Sequence, residues 1–173
     1  MVEEPAKSEI QTLIEVQIRG LMLDPVTNMP IVVLKDIASD LVLPIWVGVF
    51  EANAIALELE KTAMPRPMTH DLLRNVARSL GASVTRVVVS DLKDDTFLAT
   101  VWMEQDGEAI AVDARPSDAI ALALRADCPI YVSKRVLGRT RQNSVEAGAN
   151  VNAEELRRWL ENLNEDDTGQ YKM

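Results

Sequence analysis

Two stretches of this chain repeat one another: Asn53-Ala54-Ile55-Ala56-Leu57-Glu58-Leu59 and, 65 residues later, Asp118-Ala119-Ile120-Ala121-Leu122-Ala123-Leu124. Each follows an apolar, β-branched run, Ile45-Trp46-Val47-Gly48 in the first case and Ile110-Ala111-Val112-Asp113 in the second. Each of those runs is itself preceded by a strand hairpin. The echo predicts two related strand-strand-strand-helix units with a further helix between them. It also fixes where polar chemistry can collect. Glu51, Asp113, Arg115, Ser117 and Asp118 all fall where a strand ends and a helix begins, and there the unpaired backbone N–H groups favour anions. If the units are related by a pseudo-twofold, the two junctions approach each other and form one cleft.

At 173 residues the chain can bury one sizeable core, and 47% hydrophobic with 26% charged residues is an ordinary globular balance. Along the chain, strands are expected at 12–23 with a bend near Gly20, 31–34, 43–49, 84–90, 96–104, 109–113 and 130–132. Helices are expected at 51–61, at 70–80 behind a Thr69 N-cap, and from Pro116 to about Ala126. The first should be buried on more than one side. The second carries Leu72, Leu73, Val76 and Leu80 at helical spacing, with Gly81 as its stop. The fold class is therefore α+β: a mixed, largely antiparallel sheet from two related units, an intervening helix, and a C-terminal helix. Domain organisation reads as a flexible arm over 1–11, an α+β domain over 12–137, a linker over 138–151, and a C-terminal helix with a disordered tail over 152–173.

The net charge is −9, of which about −2 lies in residues 1–9 and about −3 in residues 152–173. That speaks against a general polyanion surface, since non-specific affinity for nucleic acid comes from Lys and Arg. A mildly acidic core with local arginines is left, for which weak substrate binding is expected. One cysteine, Cys128, rules out an internal disulfide and a cysteine-based zinc cluster, and with no signal-like or membrane-spanning stretch a cytoplasmic protein without membrane contact is expected.

Two constellations carry chemistry. The only histidine stands in Pro65-Arg66-Pro67-Met68-Thr69-His70-Asp71, after two prolines that stiffen the approach. His70 and Asp71 are either ordinary first-turn residues of a helix or an acid, base or metal ligand with Arg66 beside them for phosphate. Asp113-Ala114-Arg115-Pro116-Ser117-Asp118 is either a capped helix start or a cluster of two carboxylates, a guanidinium and a hydroxyl. Asp91, Asp94 and Asp95 read as turn residues. Glycine-rich phosphate loops and a Gly-x-Ser-x-Gly elbow are absent from the sequence. With one histidine per chain, hydrolysis would lean on carboxylates, most simply Glu51, Asp113 and Asp118 holding Mg²⁺ or Mn²⁺.

At these same residues the chain resembles the bifunctional nuclease domain family, long catalogued as a domain of unknown function. The resemblance runs over about residues 12–137 and rests on Leu43-Pro44-Ile45-Trp46-Val47-Gly48 with Glu51-Ala52-Asn53-Ala54-Ile55-Ala56, on Arg66-Pro67-Met68-Thr69-His70-Asp71-Leu72-Leu73, and on Val112-Asp113-Ala114-Arg115-Pro116-Ser117-Asp118-Ala119. It implies a compact α+β domain that self-associates as a homo-oligomer (dimer or trimer), and a hydrolase acting on RNA and DNA. Its motif positions make Glu51, His70, Asp71, Asp113, Arg115, Ser117 and Asp118 the candidate residues. In the resulting expectation Glu51, Asp113 and Asp118 hold the metal, His70 is acid or base, and Arg66, Arg115 and Ser117 meet the substrate. The alternative is a non-catalytic oligomeric module that binds an anion or a partner at the helix junctions.

Overall fold

Residues 13–138 are described by the computed structural model. The arm before them, and the expected linker, C-terminal helix and tail after them, lie outside the described residues. The chain runs β1 (Leu13–Leu23), β2 (Pro30–Asp36), β3 (Val42–Trp46), α1 (Val49–Leu59), α2 (Thr69–Ser79), β4 (Ala82–Lys93), β5 (Thr96–Gln105), β6 (Glu108–Ala114), α3 (Pro116–Ala126) and β7 (Ile130–Ser133). All seven strands form one sheet in the order β3-β2-β1-β7-β4-β5-β6. Two antiparallel meanders, β1-β2-β3 and β4-β5-β6, thus flank β7, which pairs antiparallel with β1 and parallel with β4. This is the expected α+β architecture. Each meander ends at an edge strand that feeds a helix, so α1 and α3 leave from opposite edges and turn back over the sheet.

Local chemistry explains the turns. Asp94 and Asp95 both take positive φ, 48° and 57°, as do Asp106 and Gly107 at 53° and 82°, which matches the backbone twist of two-residue hairpin loops. β4 runs on to Lys93, past the expected stop, because the Asp94-Asp95 turn is short enough for the ladder to continue to Lys93↔Thr96. β1 is irregular between Ile18 and Gly20, where the bend is expected. The Asp24 corner is tied down by its carboxylate, which accepts from Val26 N at 2.9 Å, Thr27 N at 3.2 Å and Trp46 Nε1 at 2.9 Å. The indole bond, reinforced by those two backbone N–H groups, lowers the Asp24 pKa to about 2.

The core lies between one sheet face and the helices. Val32, Leu34, Leu43 and Ile45 from the first meander and Val87, Val89, Ala99 and Val101 from the second meet Ile55 of α1 and Ala119 to Ala123 of α3. Ile55 and Ile120 are fully buried, and burial of such a side chain contributes about 1.5–3 kcal/mol. The alanines of α3 let it settle close to the strands, which is why it is the most buried helix. On the opposite sheet face the Arg86 guanidinium lies 4.7 Å over the Trp102 ring and helps to cover it.

Three helix features differ from expectation. α1 starts at Val49, which shortens β3, and only Ala52 and Ile55 of it are buried, while Phe50 and Leu59 are exposed. α2 has Met68, not Thr69, as its N-cap residue. Its apolar stripe also points outward: Leu72, Leu73, Val76 and Leu80 are all roughly half exposed or more. The reason lies in α3, whose surface offers α2 charged and carbonyl partners. α2 therefore attaches through His70, Asp71 and Arg74 by hydrogen bonds.

Candidate active site

The two strand-to-helix junctions meet, as expected if the units form one cleft. Counted from the helix starts, Gly48 of α1 corresponds to Arg115 of α3, both N-cap residues in extended conformation, and Glu51 corresponds to Asp118. This registry is two residues out of step with the echo, which pairs Asn53 with Asp118. Helix geometry sets the registry, whereas the echo reflects apolar packing further along each helix.

Across the junction Arg115 Nη2 donates to Glu51 Oε1 at 2.8 Å and Arg115 Nε to Asp118 Oδ2 at 2.6 Å. The other oxygen of Asp118, Oδ1, is 3.1 Å from His70 Nε2 at the start of α2. Glu51, Arg115, Asp118 and His70 thus form one hydrogen-bonded row contributed by α1, α2 and α3. Gly48 makes room for its first member. Glu51 folds back over the helix start, and a Cβ on Gly48 would collide with its Oε2. At φ −70° Gly48 is not conformationally special, so close approach is what the position requires of it.

Electrostatics follow from the pairing. Partial burial pushes the Asp118 carboxyl up, but the hydrogen bonds from Arg115 and His70 and their charges outweigh it, holding the group below the usual carboxylate range. Asp118 is therefore ionised at neutral pH and orients His70 with Nε2–H toward it. The His70 side chain is largely buried, 10% exposed, and among the described residues its Nδ1 has no hydrogen-bond partner. Arg115 is raised above its ordinary value by the Asp118 hydrogen bond first and by Glu51 next, and among the described residues the Nη1 group of this exposed side chain has no acceptor.

The remaining expected residues separate from this row. Asp71, next to His70, turns the other way: Oδ2 accepts the Met68 backbone N–H at 2.8 Å and Oδ1 the Arg125 Nε at 3.0 Å. Both oxygens hold structure. Ser117 is buried in the first turn of α3, outside the ion-paired row. Asp113 is exposed on β6, where its neighbour Ala114 packs on the core. Strand alternation then directs Asp113 to the face that carries Trp102, away from the helices. Arg66 lies in the wall of a cavity of about 330 Å³ with Asp71, Arg74 and Arg125, and not at Arg115.

The expected metal set is consequently not assembled. Asp113 faces the wrong side of the sheet, and the carboxylates of Glu51 and Asp118 are separated by the guanidinium that both bind. Among the described residues no three of His, Cys, Asp and Glu stand close enough to hold a metal ion. Cys128 offers no substitute nucleophile, because burial pushes its thiol up to about 11.

Sequence reasoning missed Arg125. It is 6% exposed, yet donates to Asp71, to Ala121 O at 2.8 Å and to Ala54 O at 3.0 Å, joining α1, α2 and α3. Its signal was its position: four residues after Ala121 it falls on the buried stripe of an alanine-rich helix, where a lone arginine must find partners inside.

The chain matches the bifunctional nuclease domain over residues 32–144, well over half its length. An uncharacterized protein of Mycobacterium tuberculosis is 38% identical over 154 residues, covering 86% of this chain and 92% of that protein. Bifunctional nuclease 1 of Oryza sativa subsp. japonica is 28% identical over 116 residues, 65% of this chain and 35% of the rice protein. Bifunctional nuclease 1 of Arabidopsis thaliana is 27% identical over 123 residues, 69% of this chain and 38% of that one. This chain thus aligns with little more than a third of the plant proteins. Its match and its relatives lead to one assignment: the chain belongs to the bifunctional nuclease domain family.

Proposed function

We propose that this protein is a nuclease that hydrolyses phosphodiester bonds in RNA and DNA, with His70 as its general base. The observation that carries the reading is the Asp118–His70 contact at 3.1 Å, made through Nε2, with no hydrogen-bond partner for Nδ1 among the described residues. In this scheme Nδ1 takes a proton from water, the resulting hydroxide attacks phosphorus, and one P–O bond forms as the bond to the leaving sugar oxygen breaks. The proton returns to that oxygen through the imidazolium or solvent. The free Nη1 group of Arg115 donates to a non-bridging phosphate oxygen, where charge grows in the transition state. Asp71, Ser117 and Asp113 have no part in the step.

Glu51, Arg115 and Asp118 together carry one net negative charge, which supports the expectation of weak phosphate binding. No step is routed through Mg²⁺ or Mn²⁺, because the carboxylates expected to hold one do not converge. The plant relatives' name and the family match support the substrate class. A homo-oligomer formed between copies of this chain is supported by the outward apolar stripe of α2, and Leu72→Glu with Val76→Glu should then reduce the mass found by light scattering.

The test is cleavage of fluorescein-labelled single-stranded RNA and DNA by purified protein beside His70→Ala. Loss of turnover in the variant, with an unchanged thermal transition, supports the reading. Equal rates in both would remove His70 from it.

A further inference from the structure

The cavity between the Met64–Met68 segment, α1 and α2 is set apart from the His70 row. Asp118 and Arg125 lie seven residues apart on α3, about 10 Å along its axis, and His70 reaches the first while Asp71 and Arg74 reach the second. The volume, about 330 Å³, is at the small end of the range for ligand pockets. Its charges are unevenly matched. Asp71 is satisfied by Arg125 and a backbone N–H, and Glu58 is paired with Lys61 at 3.2 Å.

Two guanidinium groups are left without a carboxylate. Arg74 donates only to neutral acceptors, Arg125 O at 2.9 Å and Asn75 Oδ1 at 3.2–3.3 Å. Arg66, exposed at the rim, has no hydrogen-bond or ion-pair partner among the described residues. The wall also carries apolar surface from Leu57, Met64, Pro65 and Met68, beside the polar Thr62 and Asn75. A ligand that fits both halves has one compact anionic group and one flat, weakly polar body, with the anion between the arginines and the body against the thioether and proline surfaces.

We propose that this cavity binds a nucleoside phosphate unit, held at its phosphate by Arg66 and Arg74 with its base on the Met64–Met68 wall. Resting on the nuclease reading, the unit belongs to a substrate strand a few nucleotides from the bond cut at His70. The stiff Pro65-Arg66-Pro67 segment keeps Arg66 at the rim in advance, which reduces the ordering cost of binding.

The probe is adenosine 5′-monophosphate, titrated calorimetrically into the full chain, into Arg66→Glu and into His70→Ala. Arg66→Glu touches no partner, so its fold should be kept, which circular dichroism and the thermal transition check. The expected result is saturable binding to the wild type and to His70→Ala, weakened about tenfold or more in Arg66→Glu, with unphosphorylated adenosine binding weakly to all. Undetectable binding to the wild type, equal binding to Arg66→Glu, or equal binding of adenosine overturns the site. Its strand assignment is read from fluorescence anisotropy of a short labelled RNA in the His70→Ala background. Weaker RNA binding on adding Arg66→Glu supports a strand, and unchanged RNA binding beside Arg66-dependent nucleotide binding overturns it. Neither titration depends on turnover, so a wild type that binds nucleotide but cuts nothing would sink the nuclease reading alone.

Discussion

His70 and Asp118, on different helices and 48 positions apart in the chain, stand with Nε2 and Oδ1 at 3.1 Å. One oxygen of Asp118 orients the imidazole and the other holds Arg115, so a single carboxylate positions both side chains. Replacing His70 by Ala should lower the cleavage rate by about 10²–10⁴-fold, the range typical of a lost general base. Asp118→Asn should lower it too.

Asp113 makes the contrasting case. Because it faces away from the helices, Asp113→Asn should leave turnover unchanged, and Mn²⁺ titrated into wild type and variant should give the same heat. A saturable Mn²⁺ signal lost in Asp113→Asn would restore this residue to a metal site.

Gly48→Ala should push Glu51 out of reach of Arg115 without unfolding α1, since the backbone there suits any residue. The expected outcome is non-additivity. Glu51→Gln should alter thermal stability and rate in the wild type and add nothing in the Gly48→Ala background, as a double-mutant cycle can measure.

Arg125→Ala removes a buried cation from Asp71 and from two carbonyl groups on α1 and α3. Breaking such a pair from one side costs about 3–5 kcal/mol, so urea unfolding should show a much lower midpoint. A loss below about 1 kcal/mol would mean that the three helices do not depend on Arg125.

Asp24 gives the fold a pH signature. Its carboxyl falls from 3.8 to about 2 on folding, so the folded state binds the proton less tightly than the unfolded chain. Its stabilising contribution is complete above the unfolded value, declines as pH falls from about 4 toward 2, and is gone below the folded value. Asp24→Asn should therefore flatten the stability profile in that interval. An unchanged slope would assign the acid sensitivity to other carboxylates.

Periodicity and turn residues were enough to locate the seven strands and α1 to α3 to within a few positions, but not the helical turn at 134–138. The repeated apolar runs also foretold that two strand-to-helix junctions would carry the polar residues, because alternation, helix formers and prolines act over a few neighbouring residues. The direction of α2 was not legible in the same way. Its stripe of Leu72, Leu73, Val76 and Leu80 looks like a core face in sequence, but α3 presents charge and carbonyl groups to it, and hydrogen bonds to those groups turned the stripe outward. Only the tertiary structure could separate neighbours such as His70 from Asp71, or Asp113 from Arg115. A helix sends successive side chains about 100° apart and a strand sends them to opposite faces, so adjacency in sequence does not make a shared site. What brought Glu51, Arg115, Asp118 and His70 into one row was the return of two helices from opposite edges of the sheet, a long-range relationship that no local pattern records.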